Sequence, residues 1–549
     1  MALAHRLTQC TKFATFTNPA AMYPTDPAAY VKIAVFGSSA AAGYNAERGF
    51  TEILTYELNQ RYPRLKFYVK NYARNGYPFH RHEAELLKKV MKYYDICLIY
   101  AGNNEAWNYI DDIGYFRTAE HKHEKSFVPL PVDVDDQAGA PIIAFLESRS
   151  RLYAIMKKAA LKVQGWASAH LKRPESARRN QYRAHWFNEF EPQGVVPPEE
   201  MAKVAANFEH DLRAIARLAQ QHGTEVIISS VPTDTTYPPH FSVVGAGLSE
   251  QALDKFHELR TRGVEQYRRQ EFSKALASLL AANAIDDDVA IVKYLIGQCY
   301  LRMGRVDEGR RFIQEGLDAD GLPFRSFSAL HQRAEAVAQQ SASLHYIDSV
   351  KPILAAVDRG LRYDELFSDL QHPSFLGHLI IAHQFLCAMA ALPLLDAYPS
   401  TEGCLDVQTA DLRTLAARYK GALGVSKEEE HVTAYMKSRW HLGVANLSAY
   451  SEEYLGRAET YVNQTYMLSP KTVKDEVTQL IFLAMIEGKR GHLAQSVRLA
   501  NQALHLSPEI TREVLSGVSV GGEAWLQVFN DMGIAYAENG TLFAVRQGY

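Results

Sequence analysis

The chain has 549 residues, of which 47% are hydrophobic and 22% are charged. This length exceeds what one hydrophobic core usually supports, so at least two domains are expected, and the composition excludes a mostly disordered chain, a collagen-like fibre and a disulfide scaffold. The net charge is −3, from 59 Lys and Arg against 62 Asp and Glu, so nucleic acid is not an expected partner.

The cysteines and apolar segments indicate where the chain resides. Five cysteines are widely spread and form no Cys-x-x-Cys pair, so neither a zinc site nor a disulfide framework is indicated. The N-terminus lacks the apolar core of a secretory signal. The most apolar window, 379–395, is 17 residues long and is interrupted by His383 and Pro393, too short and polar for a membrane span. A soluble, cytoplasmic protein without a transmembrane segment is the expectation.

From residue 31 onward, short apolar runs alternate with helical patterns. The predicted strands cover 31–36, 67–69, 96–100, 226–231 and, more weakly, 344–347. Helical spacing of apolar residues predicts helices over 51–59, 83–93 and 200–222. Such alternation favours an α/β fold with a parallel sheet covered on both faces.

Residues 105–199 do not follow this alternation of strands and helices. They contain one predicted helix near 142–166 and a polar, basic stretch. Runs of charge are typical of solvated surface, whereas long loops in compact domains are often functional. A solvated insertion and a lid over a binding site both remain open.

A helical repeat begins near residue 250. Six positions recur 34 residues later: Gly263, Tyr267, Phe272, Ala275, Leu279 and Ala282 return as Gly297, Leu301, Val306, Gly309, Ile313 and Gly316. This period, with small residues where paired helices must touch, is the tetratricopeptide pattern. Two weaker copies end at Pro470 and Pro508. Because about three units are needed to bury their faces, the tail either stacks on the internal pair or forms a separate helical domain.

The loop Gly37 to Gly43 directly follows the first predicted strand. It lacks the spacing of a P-loop, of a dinucleotide fingerprint and of the nucleophile elbow. What it does provide is Ser39 at the carboxyl end of a strand, where open α/β sheets bind ligands and where a helix N-terminus offers free backbone N–H groups.

Segments with polar residues and glycine also follow the next two predicted strands: Asn71 to Gly76 after the second and Gly102 to Glu105 after the third. Parallel strands bring these ends to one edge, so Ser39, Gly76 and Asn104 are expected to converge. A serine hydroxyl, a backbone N–H and a side-chain amide are the parts of a nucleophile with its oxyanion hole.

A candidate base lies far downstream, where Asp369 and His372 stand three residues apart before the predicted helix 374–391. At this spacing the carboxylate can orient the imidazole, which could then accept the Ser39 proton. The alternatives are an ordinary histidine, one of 20 in the chain, and a metal cluster with His378.

These blocks, Gly-x-Ser-x-x-x-Gly, a downstream Gly, Gly-x-Asn-Glu and Asp-x-x-His-Pro, in this order resemble the SGNH (GDSL-type) serine hydrolases. More narrowly, the chain resembles members in which tetratricopeptide repeats interrupt the hydrolase before its Asp-x-x-His block. The resemblance covers about 31–104, 224–325 and 344–391, including Gly321 to Arg325 after the repeats.

The resemblance implies a three-layer domain with Ser39 as nucleophile, His372 as base and Asp369 as its partner. It further implies an oxyanion hole from Ser39, Gly76 and Asn104, without cofactor or metal. Three positions depart from the family pattern, Ser38, Ala73 and Glu105; none removes a catalytic atom, but they put substrate position and efficiency in question.

The predicted organisation is an N-terminal extension (1–30), a hydrolase domain in two parts (31–247 and 326–395), repeats between them (248–325) and a helical tail (405–549). The implied activity is hydrolysis of an ester, on a small molecule or an acylated glycan or lipid. The alternatives are O-acyl transfer by the same residues and an interaction scaffold that binds a protein partner through its repeats.

Overall fold

The computed structural model describes residues 30–106, 198–244, 248–395, 403–426, 428–445, 447 and 449–518, with two short strands at 534–536 and 542–544. The N-terminal extension up to residue 29, the predicted helix near 142–166 and almost all of the 105–199 insertion lie outside the described residues.

A five-stranded parallel sheet forms the centre of the α/β part of the chain. The strands are β1 (Tyr30–Gly37), β2 (Lys66–Asn71), β3 (Ile96–Tyr100), β4 (Glu225–Ser229) and β5 (Leu344–Ile347). They lie in the order β2-β1-β3-β4-β5, and the register pairs Ile33 with Ile96 and Val69. The predicted α/β class with a parallel sheet is therefore confirmed.

Helices cover both faces of the sheet, which makes three layers. The early helices are α1 (Ser39–Ala42), α2 (Phe50–Arg61), α3 (Ala84–Val90) and α4 (Pro198–His222), with a π-turn at Phe79–Glu83 and a 3-10 turn at Met91–Tyr93. On one face Ile33 and Leu98 pack with Phe50 of α2. On the other face Phe36 and Ile99 pack with helices α3 and α4.

Helical hairpins follow β4. They comprise α5 (Glu250–Arg268), α6 (Phe272–Asn283), α7 (Ala290–Arg302) and α8 (Val306–Asp318). The small residues of the 34-residue pattern lie where these helices meet: a Cβ added to Gly297 would lie 2.7 Å from the carbonyl oxygen of Gly309. The close approach of paired helices explains why glycine recurs there.

The chain then returns to the sheet and continues into the C-terminal helices. The elements are α9 (Ser328–Ala338), β5, α10 (Val350–Asp358), α11 (Tyr363–Leu366), α12 (Phe375–Ala390), a 3-10 turn (Pro393–Leu395), α13 (Leu412–Leu423), α14 (Glu428–Val444), α15 (Ser451–Leu468), α16 (Val473–Lys489), α17 (Leu493–Leu506) and α18 (Pro508–Val518), then β6 (Ile534–Tyr536) antiparallel to β7 (Leu542–Ala544).

The C-terminal helices share a hydrophobic core with the internal hairpins. Val264 and Leu279 of the hairpins belong to the same buried cluster as Trp440, Tyr454 and Val462. Helices α14 and α15 thus pack against the internal hairpins. Helices α16 to α18 add a further small core.

One disulfide corrects the cysteine analysis. Cys387, in α12, is bonded to Cys404, with their Cα atoms 5.5 Å apart. No local pattern indicates this bond, because its cysteines are 17 residues apart in the sequence and meet only in the folded chain. Within the described ranges, no helix combines the length and apolar character needed to cross a bilayer.

Candidate active site

Ser39 stands at the sharp turn from β1 into α1. Gly37 has φ +153°, and a Cβ there would lie 2.1 Å from the carbonyl oxygen of Tyr100, so only glycine fits this turn. Ser38 occupies the N-cap position of the short helix, and its hydroxyl donates a hydrogen bond to the side-chain oxygen of Asn103. Ser39 is therefore buried at a fixed position on the carboxyl edge of the sheet.

A continuous chain of hydrogen bonds runs from Ser39 through His372 to Asp369. Ser39 Oγ lies 2.7 Å from His372 Nε2. On the other side of the ring, His372 Nδ1 lies 2.7 Å from Asp369 Oδ2 and 2.9 Å from Oδ1. All three side chains are buried, so the hydroxyl, imidazole and carboxylate interact with little competition from water.

The surroundings of Asp369 favour its charged form, the carboxylate. Burial acts to raise the pKa of Asp369, but the charge and hydrogen bond of His372 and two backbone N–H groups outweigh it and hold the pKa below its ordinary value. Those N–H groups, of Gln371 at 3.0 Å and His372 at 2.8 Å, both donate to Oδ1. A carboxylate held in this way fixes the orientation of the imidazole.

The loop 367–373 that carries the pair is tied down at both ends. Phe367 and Pro373 form an isolated β-bridge, and the N–H of Ser368 donates to the carbonyl of His372 at 2.8 Å. The N–H of Asp234, beyond β4, donates to the carbonyl of Leu370 at 2.9 Å. The loop is thus braced against the sheet edge.

The predicted oxyanion donors lie at the ends of the strands that flank β1. Gly76, beyond β2, has φ +78° in an exposed turn. Asn104, beyond β3, is buried, and its Nδ2 lies 3.4 Å from the carbonyl oxygen of Tyr77, next to Gly76. The two residues are therefore neighbours at the carboxyl edge, and Ser39 is hydrogen-bonded to His372.

Two residues that the sequence analysis missed contact the pair directly. The ring of Tyr44 lies 4.7 Å from the ring of His372, and Asn45 Nδ2 lies 3.5 Å from Asp369 Oδ2. Asn45 has φ +66°, a left-handed conformation that Asn tolerates better than most residues. An Asn at a turn just after the Ser39 helix was the available sequence signal.

Two buried carboxyls lie behind the site. Glu105, one of the departures from the family pattern, accepts the N–H groups of Phe79 at 2.8 Å and His80 at 3.2 Å. Burial raises the pKa of Glu105 to about 7. Glu83 is also buried, and its burial raises its pKa to about 8.

His378, the third member of the alternative metal cluster, lies in the interior of the protein. His378 is buried in α12, and neither ring nitrogen has a hydrogen-bond partner among the described residues. Burial, with the nearby His372, lowers the pKa of His378 to about 3. The described residues contain no group of three or more His, Cys, Asp or Glu side chains arranged to hold a metal ion.

Comparisons with known proteins give only slight likenesses. No family model matches the chain, and no curated protein matches it. Among solved structures, Axe2, an acetylxylan esterase from Geobacillus stearothermophilus, is 13% identical, covering 65% of this chain and 92% of its own, at a TM-score of 0.26. LAE5, an alpha/beta hydrolase from the metagenome of Lake Arreo, Spain, is 12% identical, covering 66% and 96%, also at 0.26. At this TM-score neither likeness bears on what the chain does.

Proposed function

We propose that the chain is a serine-dependent ester hydrolase whose nucleophile is Ser39. The observation that carries the proposal is the buried hydrogen-bonded series Ser39, His372 and Asp369 at the carboxyl edge of the sheet. A serine hydroxyl is a weak nucleophile unless an adjacent base removes its proton, and an oriented imidazole is the usual base.

In the proposed reaction, His372 Nε2 takes the Ser39 proton as Oγ attacks the ester carbonyl carbon. The tetrahedral intermediate collapses, its bond to the alcohol oxygen breaks, and His372 returns the proton to the departing alcohol. Water then attacks the acyl-enzyme with His372 again as base, which releases the carboxylic acid and restores Ser39. Asp369 stays ionised and stabilises the imidazolium in both steps.

The negative charge that develops on the carbonyl oxygen needs donors in place before the reaction. We assign this role to the Ser39 N–H, the Gly76 N–H and the Asn104 side-chain amide. Support comes from their positions at the ends of three adjacent strands. The Ser39 N–H is also one of the first N–H groups of a helix, which lack a partner within that helix.

The ordered sequence blocks support membership of the SGNH (GDSL-type) hydrolases with inserted tetratricopeptide-like repeats. The proposed substrate is an acyl ester, with a short acyl group on a sugar or a lipid. O-acyl transfer would use the same three residues, with a sugar hydroxyl in place of water. Transfer and hydrolysis are distinguished by whether an added sugar gains the acyl group.

The deciding experiment is labelling of the purified protein with a fluorophosphonate, followed by mass spectrometry of the modified peptide. We expect an adduct on Ser39 that is absent from Ser39→Ala and lost from His372→Ala, with circular dichroism showing that both variants are folded. A folded protein without an adduct on Ser39 would contradict the hydrolase proposal. The helical hairpins would then become the functional surface, as in the interaction scaffold.

A further inference from the structure

The C-terminal helices reach the active-site loops through two partly buried polar contacts. Lys437 of α14 donates from Nζ to the carbonyl oxygen of Asp364, and Tyr461 of α15 donates from its hydroxyl to Asp364 Oδ2. Lys437 is buried and its Nζ lies 5.4 Å from the centre of the Tyr461 ring. Asp364 belongs to α11, the short helix that immediately precedes the loop carrying Asp369 and His372.

A second contact from the same region fixes the neighbouring residue. Arg413 of α13 holds the carboxylate of Glu365 with two hydrogen bonds, of 2.7 and 3.0 Å. Paired bonds of this kind restrict orientation as well as distance. Helix α11 is therefore attached to three different C-terminal helices, α13, α14 and α15.

Short backbone contacts connect α11 to the segment that carries His372. The N–H of Ser374 donates to the carbonyl of Leu366 at 2.9 Å, and the Ser374 hydroxyl donates to the carbonyl of Glu365. Gly377 packs so closely that a Cβ there would lie 2.2 Å from the Leu366 carbonyl oxygen. Because this segment is closely packed and hydrogen-bonded to α11, we expect a shift of α11 to move the loop 367–373.

The other active-site loop is held by the same helix α14. Glu429 accepts the N–H of Glu47 at 2.8 Å, and the Glu47 carboxylate accepts the N–H of Ser426 at 2.7 Å. Residues Tyr44 and Asn45 of this loop contact His372 and Asp369. Helix α14 thus anchors both segments that meet at the imidazole.

We propose that Tyr461 and Lys437 are positioning residues for the reaction, which hold Asp369 and His372 in line with Ser39 by fixing Asp364. This inference rests on the proposed function. It gives the C-terminal helices a positioning role: their contacts with α11 add to the bridge between Phe367 and Pro373 and to the hydrogen bond from Asp234, which hold the loop from the side of the sheet. A displacement well below an ångström is enough to slow such a proton transfer.

The test uses the full chain and removes single hydroxyl or ammonium groups. Tyr461→Phe and Lys437→Met each delete one contact to Asp364. Tyr466→Phe makes the same chemical change on α15 at a residue that contacts Lys471 instead, and it serves as the matched control. Asp364→Asn keeps both acceptors for Tyr461 and Lys437, whereas Asp364→Ala removes the side-chain acceptor.

Three readouts are compared. We expect the rate constant of fluorophosphonate labelling at Ser39 to fall about tenfold in Tyr461→Phe, Lys437→Met and Asp364→Ala, and to stay near the wild-type value in Asp364→Asn and Tyr466→Phe. With p-nitrophenyl acetate, kcat should fall while KM is unchanged. Hydrogen exchange of the backbone amides in 366–374 should be faster in the three slow variants.

The outcomes separate this inference from the proposed function. Unchanged exchange in 366–374 would overturn the positioning role whether or not the protein is an enzyme, and so would faster exchange with wild-type labelling. A wild-type protein that is not labelled at Ser39 would contradict the hydrolase proposal instead, while the exchange measurement would still decide whether Tyr461 and Lys437 hold the loop.

Discussion

Tyr44 covers the imidazole of His372. Their ring centres are 4.7 Å apart and their planes are tilted by 49°. Burial, reinforced by the charge of Asp369, raises the pKa of the Tyr44 phenol, so the phenol stays neutral near pH 7. The contact shields the imidazole from water on one side and limits its rotation away from Ser39.

This relationship predicts that the ring of Tyr44, and not its hydroxyl, supports turnover. Tyr44→Ala should lower kcat/KM for p-nitrophenyl acetate by about tenfold, because the imidazole gains freedom to turn away from Ser39. Tyr44→Phe keeps the ring and should retain activity within about twofold. Equal losses in the two variants would contradict the packing role.

Replacing Asp369 by Asn tests the orientation of the imidazole. Asp369→Asn removes the charge that stabilises the imidazolium and favours the wrong tautomer, so kcat of the proposed reaction should fall roughly 10³- to 10⁴-fold. The steady-state rate and the melting temperature are measured together. A fall of only a few fold in a folded variant would mean that Asp369 is not the partner of the base.

The close contact of Gly377 with the Leu366 carbonyl predicts a large cost for a single methyl group. Gly377→Ala places a Cβ 2.2 Å from that oxygen, so urea unfolding should show a loss of about 2 kcal/mol or more. Gly421→Ala is the control, because nothing lies within 4 Å of a Cβ there. In the helix α13 this change should stabilise the protein by about 0.5 to 1 kcal/mol.

Glu83 gives the stability a predictable dependence on pH. Its pKa is raised from 4.5 to about 8 by burial, so the folded state holds the proton more tightly. Its contribution to stability is therefore complete below 4.5 and is lost as the pH rises through 8.

In Glu83→Gln this titration is absent. We compare the decrease in the free energy of unfolding between about pH 5 and pH 9. This decrease should be smaller in the variant than in the wild type, by at least ~1 kcal/mol. Urea unfolding across that range makes the comparison. Parallel curves for the two proteins would show that Glu83 is ionised in the folded state at neutral pH.

The bond between Cys387 and Cys404 predicts redox-dependent stability. Closing a loop of this length contributes ~3 kcal/mol by restricting the unfolded chain, so Cys387→Ser and the reduced wild type should lose similar amounts. Maleimide labelling of the denatured protein should miss both cysteines until reductant is added. Labelling of both without reductant would agree with the predicted cytoplasmic location, where such bonds are rare, and would contradict the bond.

The strands, and the site residues that lie close together in the sequence, could be predicted from the sequence. The run 96–100 became β3 with those same limits, and 344–347 became β5, because buried parallel strands need continuous apolar residues bounded by turns. Asp369 and His372 were found as a pair since their spacing of three is a local relationship. The weaker signal at Asn45 was overlooked, because a left-handed turn residue reveals its purpose only when its partner is known.

What the sequence by itself determined is thus the set of elements and the polar residues that end each strand, because burial patterns and turn chemistry act over a few neighbouring residues. Only the tertiary structure decided which of them meet. Ser39 and His372 are 333 positions apart, and their contact depends on the strand order and on α12 returning to the sheet after the hairpins. The same holds for Tyr461 at Asp364 and for Cys387 with Cys404, since no local pattern encodes which surfaces a folded chain brings together.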